Sequence, residues 1–200
     1  VDRGVRATRG ETTAIIPPEN LIVWLPGDDK NKDFATNIAS SAEHADFVKD
    51  SKKSVPQYAT GGRDAKTDHS FDLTQSLAYI QYPVTSIKAD YFDLDLGAVG
   101  VDTWVKFKDT QCDGDECEMA IISHGDPRTK DSKGAGFEIH KTLKNALEVC
   151  AGSPSQDVEK PQHTCLKTSD GYVAPGAAWY HVAASIWKEG DAPHLALYVN

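Results

Sequence analysis

Apolar residues along this 200-residue chain gather in short runs separated by turn-forming residues. None carries the periodicity of an amphipathic helix longer than two turns, and no internal repeat is visible. The first strand candidate is Leu21–Leu25, LIVWL, stopped by Pro26-Gly27. A long polar region with scattered apolar residues follows, from Asp28 to about Asp68. Then come SFDL (70–73), LAYIQYP (77–83), YFDLDLG (91–97), DTWVKFK (102–108), EMAIISHG (118–125), GFEIHK (136–141), ALEVCAG (146–152), WYHVAASIW (179–187) and HLALYVN (194–200). These runs are rich in Val, Ile, Tyr, Phe and Trp, as strands are. TWVKFK and LALYV alternate apolar with polar, the signature of antiparallel strands with one face buried. Many short strands at roughly 8–12-residue spacing predict a sandwich or barrel. The expected core includes Trp104, Val105 or Phe107, Ile121, Phe137, Ile139, Val149, Trp179, Val182, Leu195 and Leu197.

Residues 1–20 carry three Arg, two Gly and the Pro17-Pro18 pair, so they read as an extension or linker ahead of one domain over 21–200. The chain opens at Val1, read as the product of leader removal or as the start of an engineered piece. No apolar stretch reaches the ~20 residues that span a bilayer, so membrane insertion is not expected.

Charge narrows the partners. With 21 Lys and Arg against 30 Asp and Glu the net is -9, which disfavours nucleic acid and anionic bilayers and suits neutral ligands, cations or basic protein surfaces. Four cysteines point to a compartment: Cys112 and Cys117 bracket one short polar loop, Cys150 and Cys165 a longer one. The even number and the local bracketing predict two disulfides, Cys112–Cys117 and Cys150–Cys165, in an extracellular, cell-surface or periplasmic setting. The competing reading is four free or metal-binding thiols, although neither pair has the close spacing of a zinc ribbon.

Candidate chemistry is sparse. Neither G-x-S-x-G nor H-E-x-x-H occurs, and Gly134-Ala135-Gly136 opens a strand, so it reads as a turn. Glu138 and His140 share a strand face, a pair that reads as a solvated face. Asp93 and Asp95 also share a face and form the one glycosidase-like carboxylate pair, without a visible partner to raise the pKa of a general acid. Asp29, Asn31 and Asp33 present oxygens at alternate positions, as a calcium loop does, with Asp113 and Asp115 as a second acidic turn. Both also read as solvated acidic turns; Ca2+ is the one cofactor these loops would take. Tyr172, in the polar loop SDGYVAPG, is the candidate exposed ring for stacking on a sugar.

The order of segments resembles the laminin-G-like (LamG) domains of the concanavalin-A-like lectin/glucanase superfamily. WYHVAA (179–184) is similar to that family's W-Y-H-V-A strand, and ISHGD, GFEIH and LEVC to its consecutive hairpin strands. VDTWVKF, SFDLTQSLAYIQYP, LIVWLPGDDKNKDFATN and HLALYVN resemble further pieces in the same order, so the likeness covers about 21–200. It departs at Asp72-Leu73, where the family has Asp-Gly. The resemblance implies an all-β fold: an antiparallel two-sheet jelly-roll sandwich, often with Ca2+ at one rim. It also implies a secreted or cell-surface, non-catalytic binding or adhesion module for a glycan or an extracellular protein. Two other classes stay open: a structural subunit of an extracellular assembly, and a polysaccharide-active enzyme using Asp93 and Asp95. In the resembled family more strands follow the LYVN segment. The chain is therefore expected either to continue past Asn200 or to fill that edge with residues 1–20 of itself or a neighbour, Thr13–Ile16 being the donor for self-assembly by strand addition.

Overall fold

The computed structural model describes residues 21–23, 25–27, 34–39, 44–48, 57–60, 62, 69–73, 79–82, 97–108, 118–125, 136–152, 163–174, 176, 178–190 and 192–200. Among these residues there are strands, turns and extended segments and no helix, hence no helix long and apolar enough to cross a membrane. The chain divides into two units, 1–88 and 89–200.

In the first unit, β1 (Phe34–Thr36), β2 (His44–Val48) and β5 (Tyr79–Gln81) form an antiparallel sheet in the order β1-β2-β5. β3 (Gln57–Thr60) and β4 (His69–Asp72) pair separately. Ala35, Ala45 and Phe47 are buried, with Leu25, Tyr58, Phe71, Ile80 and Tyr82 packed on them. The rings of Phe47, Tyr58 and Phe71 lie with centroids 5.3–6.2 Å apart in tilted and edge-on arrangements, the geometry aromatic quadrupoles favour. Asn37 is fully buried and satisfied: its Nδ2 donates to the Ile22 carbonyl (3.0 Å) and the Tyr82 hydroxyl (2.8 Å), and its Oδ1 accepts from the Ala39 amide (3.1 Å). This unit departs from the sequence expectation. Leu21–Val23 and Leu25 form no strand, whereas β1, β2 and β3 all fall in the stretch read as polar. Each inward face holds only one or two apolar side chains, too few to register as a run.

The second unit contains β6 (Val99–Val105), β7 (Met119–Gly125), β8 (Gly136–Lys141), β9 (Leu147–Gly152), β10 (His163–Lys167), β11 (Tyr180–Glu189) and β12 (Ala192–Val199). They form two antiparallel sheets, β10-β9-β8-β7 and β12-β11-β6. One core joins them. Phe137, Ile139, Leu147, Val149 and Ala151 from the first sheet cluster with Val99, Tyr180, Val182, Ala184 and Ile186 from the second, together with Phe107 and Val173. The arrangement is sandwich-like. It bears out the expected burial of Phe137, Ile139, Val149 and Val182, while Ile121, Leu195, Leu197 and Val105 pack partly buried on the same cluster.

Two expected core residues are corrected. Trp104 is 37% exposed, because β6 pairs with β11 so that Thr103 and Val105 lie beside the inward Val182 and Tyr180, which turns Trp104 outward. Trp179 is half-buried and precedes β11; Tyr180 takes the inward position instead. β10, not read as a strand, pairs along β9 at the sheet edge with every residue exposed, so no apolar face marked it. β12 is paired by β11, and among the described residues it has no second neighbour. The donor candidate Thr13–Ile16 lies outside the described residues.

Gly136 opens β8 opposite Gly125, as the turn reading of Gly134–Gly136 expects, with φ at 110°. A Cβ there would sit 2.0 Å from the His124 carbonyl oxygen. Strain and overlap act together, so Gly136→Ala should cost about 3 kcal/mol. A urea midpoint unchanged by this substitution would refute the β7–β8 register.

Candidate ligand-binding face

The period of two in β-strands divides WYHVAASIW cleanly. Tyr180, Val182, Ala184 and Ile186 enter the core, which leaves His181, Ala183, Ser185 and Trp187 on the outer face. The registers extend that face sideways. On β6, Trp104 lies opposite His181, Asp102 opposite Ala183 and Gly100 opposite Ser185. On β12, Tyr198 lies opposite Ala183, Ala196 opposite Ser185 and His194 opposite Trp187.

The same three-part arrangement occurs twice on this face. The Trp104 ring stacks on His181, centroids 4.8 Å apart and planes within 19°, and the His181 Nε2 meets Asp102 Oδ2 at 2.5 Å. The Trp187 ring stacks on His194 at 5.6 Å and 20°, and the His194 Nε2 lies 3.6 Å from Glu189 Oε2. The two carboxylates are well exposed. Each site therefore offers a flat amphipathic ring pair beside oxygen and nitrogen atoms able to exchange hydrogen bonds with hydroxyl groups. Tyr198, 63% exposed, adds a third ring, and Gly100, Ala183, Ser185 and Ala196 keep the ground between low. At one end the backbone of His181 is tied to Asn200, whose Oδ1 accepts from the His181 amide at 2.6 Å.

A second cluster is internal. The Glu138 and His140 pair, expected to face solvent, is instead buried, His140 at 1% and Glu138 at 7% exposure. The His140 Nε2 is 3.1 Å from both Glu118 Oε1 and Glu148 Oε2, while its Nδ1 is 4.0 Å from Glu138 Oε2. Strand register brings Glu148 opposite His140. An imidazole set among carboxylates offsets part of their desolvation and fixes the relative positions of β8, β9 and the entry to β7.

The Cys150–Cys165 disulfide is present, linking directly opposed residues of β9 and β10 with Cα atoms 4.1 Å apart. Among the described residues, the one group of three metal-type side chains whose ligand atoms all lie within 4.8 Å of one another is Glu148 with these two cysteines; their sulfurs are bonded to each other and are not thiolate ligands. Tyr172 is 39% exposed, in the loop after β10, with its ring 6.4 Å from that of Tyr180. In the same loop a hydrogen bond from Lys167 holds the Asp170 carboxyl below its usual range, with the charges of Lys167 and Lys144 adding to it. Asp29, Asn31, Asp33, Asp93, Asp95, Asp113, Asp115, Cys112 and Cys117 lie outside the described residues.

His124 sits on β7 opposite Phe137, with ring centroids 6.0 Å apart, and burial lowers its pKa. The unfolded chain therefore takes up the proton first as pH falls through about 6.5. This contribution to stability is fully present above that pH and is lost as pH falls through the folded-state value. His124→Gln should flatten this part of the acid slope, measured by urea unfolding at pH 7.5 and 5.5. An identical slope in the variant would contradict it.

Sequence reasoning missed Trp104, His181, Trp187, His194 and Tyr198 as a group. The signal was present: once Tyr180 and Val182 are taken as inward, alternation alone puts His181 and Trp187 outside. No known family model, curated protein or solved structure matches the chain.

Proposed function

We propose that this chain is an extracellular, non-catalytic binding module of the LamG-like, concanavalin-A-like jelly-roll class that recognises a glycan on the outer face of the β12-β11-β6 sheet. The observation that carries the reading is the pair of Trp–His stacks, each with its own carboxylate, on one exposed sheet face. Sugar rings present apolar C–H faces and polar edges, and an indole beside a carboxylate–imidazole pair complements both. The sandwich-like core and the Cys150–Cys165 disulfide support the fold and the oxidising setting. Ca2+ enters this proposal through the sequence alone, at Asp29, Asn31 and Asp33 or at Asp113 and Asp115.

Affinity electrophoresis through gels containing neutral polysaccharides, with tryptophan fluorescence as a second readout, tests the reading. Retardation is expected. Trp104→Ala should weaken binding by about tenfold or more, as loss of one stacking ring does, and the Trp104→Ala/Trp187→Ala double variant should migrate as if no polysaccharide were present. Both variants should keep the native Tm within a few degrees, because the rings lie outside the core. Retardation undiminished in the double variant would overturn the assignment of this face.

A further inference from the structure

The spacing and charge of the outer face identify the class of glycan, an inference that rests on the binding reading above. His181 and Trp187 are six residues apart on one strand, which is about 20 Å at ~3.3 Å per residue. The two stacks also lie on opposite sides of β11, since Trp104 belongs to β6 and His194 to β12. A line between them crosses the sheet diagonally over Ala183, Ser185 and Ala196, none of which carries a side chain long enough to block it. One monosaccharide cannot touch both ends.

The face also discriminates by charge. Asp102 and Glu189 stand beside the two stacks, exposed by 67% and 77%, and the whole chain carries a net charge of -9. A uronate or sulfate group laid along this path would meet carboxylates at both ends, whereas a hydroxyl can donate to them. A span of about 20 Å with only small side chains between its ends further suits an extended ribbon, the form of a β-1,4-linked chain, better than a coiled one.

We propose that the site takes an unbranched, neutral, β-1,4-linked polysaccharide along this diagonal, gripped at both ends by the Trp–His stacks with a low floor between. Joining two weak contacts through one ligand multiplies their affinities as far as the linking chain allows. Binding should therefore depend steeply on chain length, and loss of either stack should cost most for ligands that reach both.

The test is calorimetric titration of the full chain with di-, tetra- and hexasaccharides of the cellulose, mannan, xylan and chitin series, and with oligogalacturonate as the acidic counterpart. At least one neutral series should tighten roughly 100-fold or more from disaccharide to hexasaccharide. In Trp187→Ala that gain should collapse, while the disaccharide should lose only the share of its binding made at the Trp187–His194 stack. Far-ultraviolet circular dichroism of the variant should match the native protein. Three results overturn the proposal: equal affinity at every length, a full length dependence surviving in Trp187→Ala, or tighter binding of oligogalacturonate. Length-independent binding that Trp104→Ala still weakens would remove the two-ended path and leave the glycan reading standing. Heat from none of the series would remove both.

Discussion

Phe137→Ala should lower stability by about 3–5 kcal/mol, and Tm by roughly 10–20 °C for a unit of this size. Phe137 is 2% exposed and lies on β8, which is flanked by β7 and β9, in the cluster shared by both sheets. Alanine would leave a cavity where the strands on either side are held by their own hydrogen bonds and cannot close in. Trp179→Ala is the informative comparison. Trp179 is larger, but it is half-buried and precedes β11, so less of its apolar surface returns to water on unfolding. Its loss should cost less than about 2 kcal/mol. Equal losses for the two variants would mean that the inward row of β11 begins at Trp179 after all.

Apart from β10, the strands of the second unit were legible because their apolar residues alternate and are β-branched or aromatic. GFEIHK and HLALYVN were placed to within two residues of β8 and β12. Inward and outward assignment was harder where both faces carry rings. DTWVKF has Trp104 on one side and Val105 and Phe107 on the other, and only pairing with β11 settles which enters the core. The first unit was much less legible. A strand such as β2 needs just Ala45 and Phe47 inside, and so short an inward row does not stand out from a polar loop.

The internal cluster shows a different limit. Glu138 and His140 alternate with Phe137 and Ile139, so the sequence correctly gives them the opposite face. It does not say that this face is covered. Glu118, Glu138, His140 and Glu148 are spread over thirty residues and converge through antiparallel register. A polar face that meets solvent and one that meets other polar groups have the same alternation. The outer binding face was hidden for the reverse reason: tryptophans in apolar runs were assigned to the core, although the period of two already required half of each run to point away from it.

Opening the Cys150–Cys165 bond should cost about 3 kcal/mol, the chain-entropy value for a loop of this length; the cysteines are 15 positions apart. The fold gives the bond more to do than close a loop. Among the described residues β10 is an edge strand paired only with β9, and all five of its residues are exposed, so little hydrophobic burial holds it in place. Cys165 lies opposite Cys150, which is itself fully buried. The link thus anchors a weakly packed strand to the interior of its sheet. The segment after β10 runs on from that anchor, and the amides of Thr168, Gly171 and Val173 donate to carbonyls of Leu147, Lys144 and Asn145 at the β8–β9 turn. Reduction, or the Cys150→Ala/Cys165→Ala double substitution, should therefore act in two stages. Amide hydrogen exchange should accelerate first along 163–173, with the β8 amides still protected, and global stability should fall by the amount above. Peptide mapping under non-reducing conditions should recover Cys150 joined to Cys165. Uniform exchange across β8 and β10 after reduction, or an unchanged urea midpoint, would show that β10 is held by the sheet and not by the disulfide.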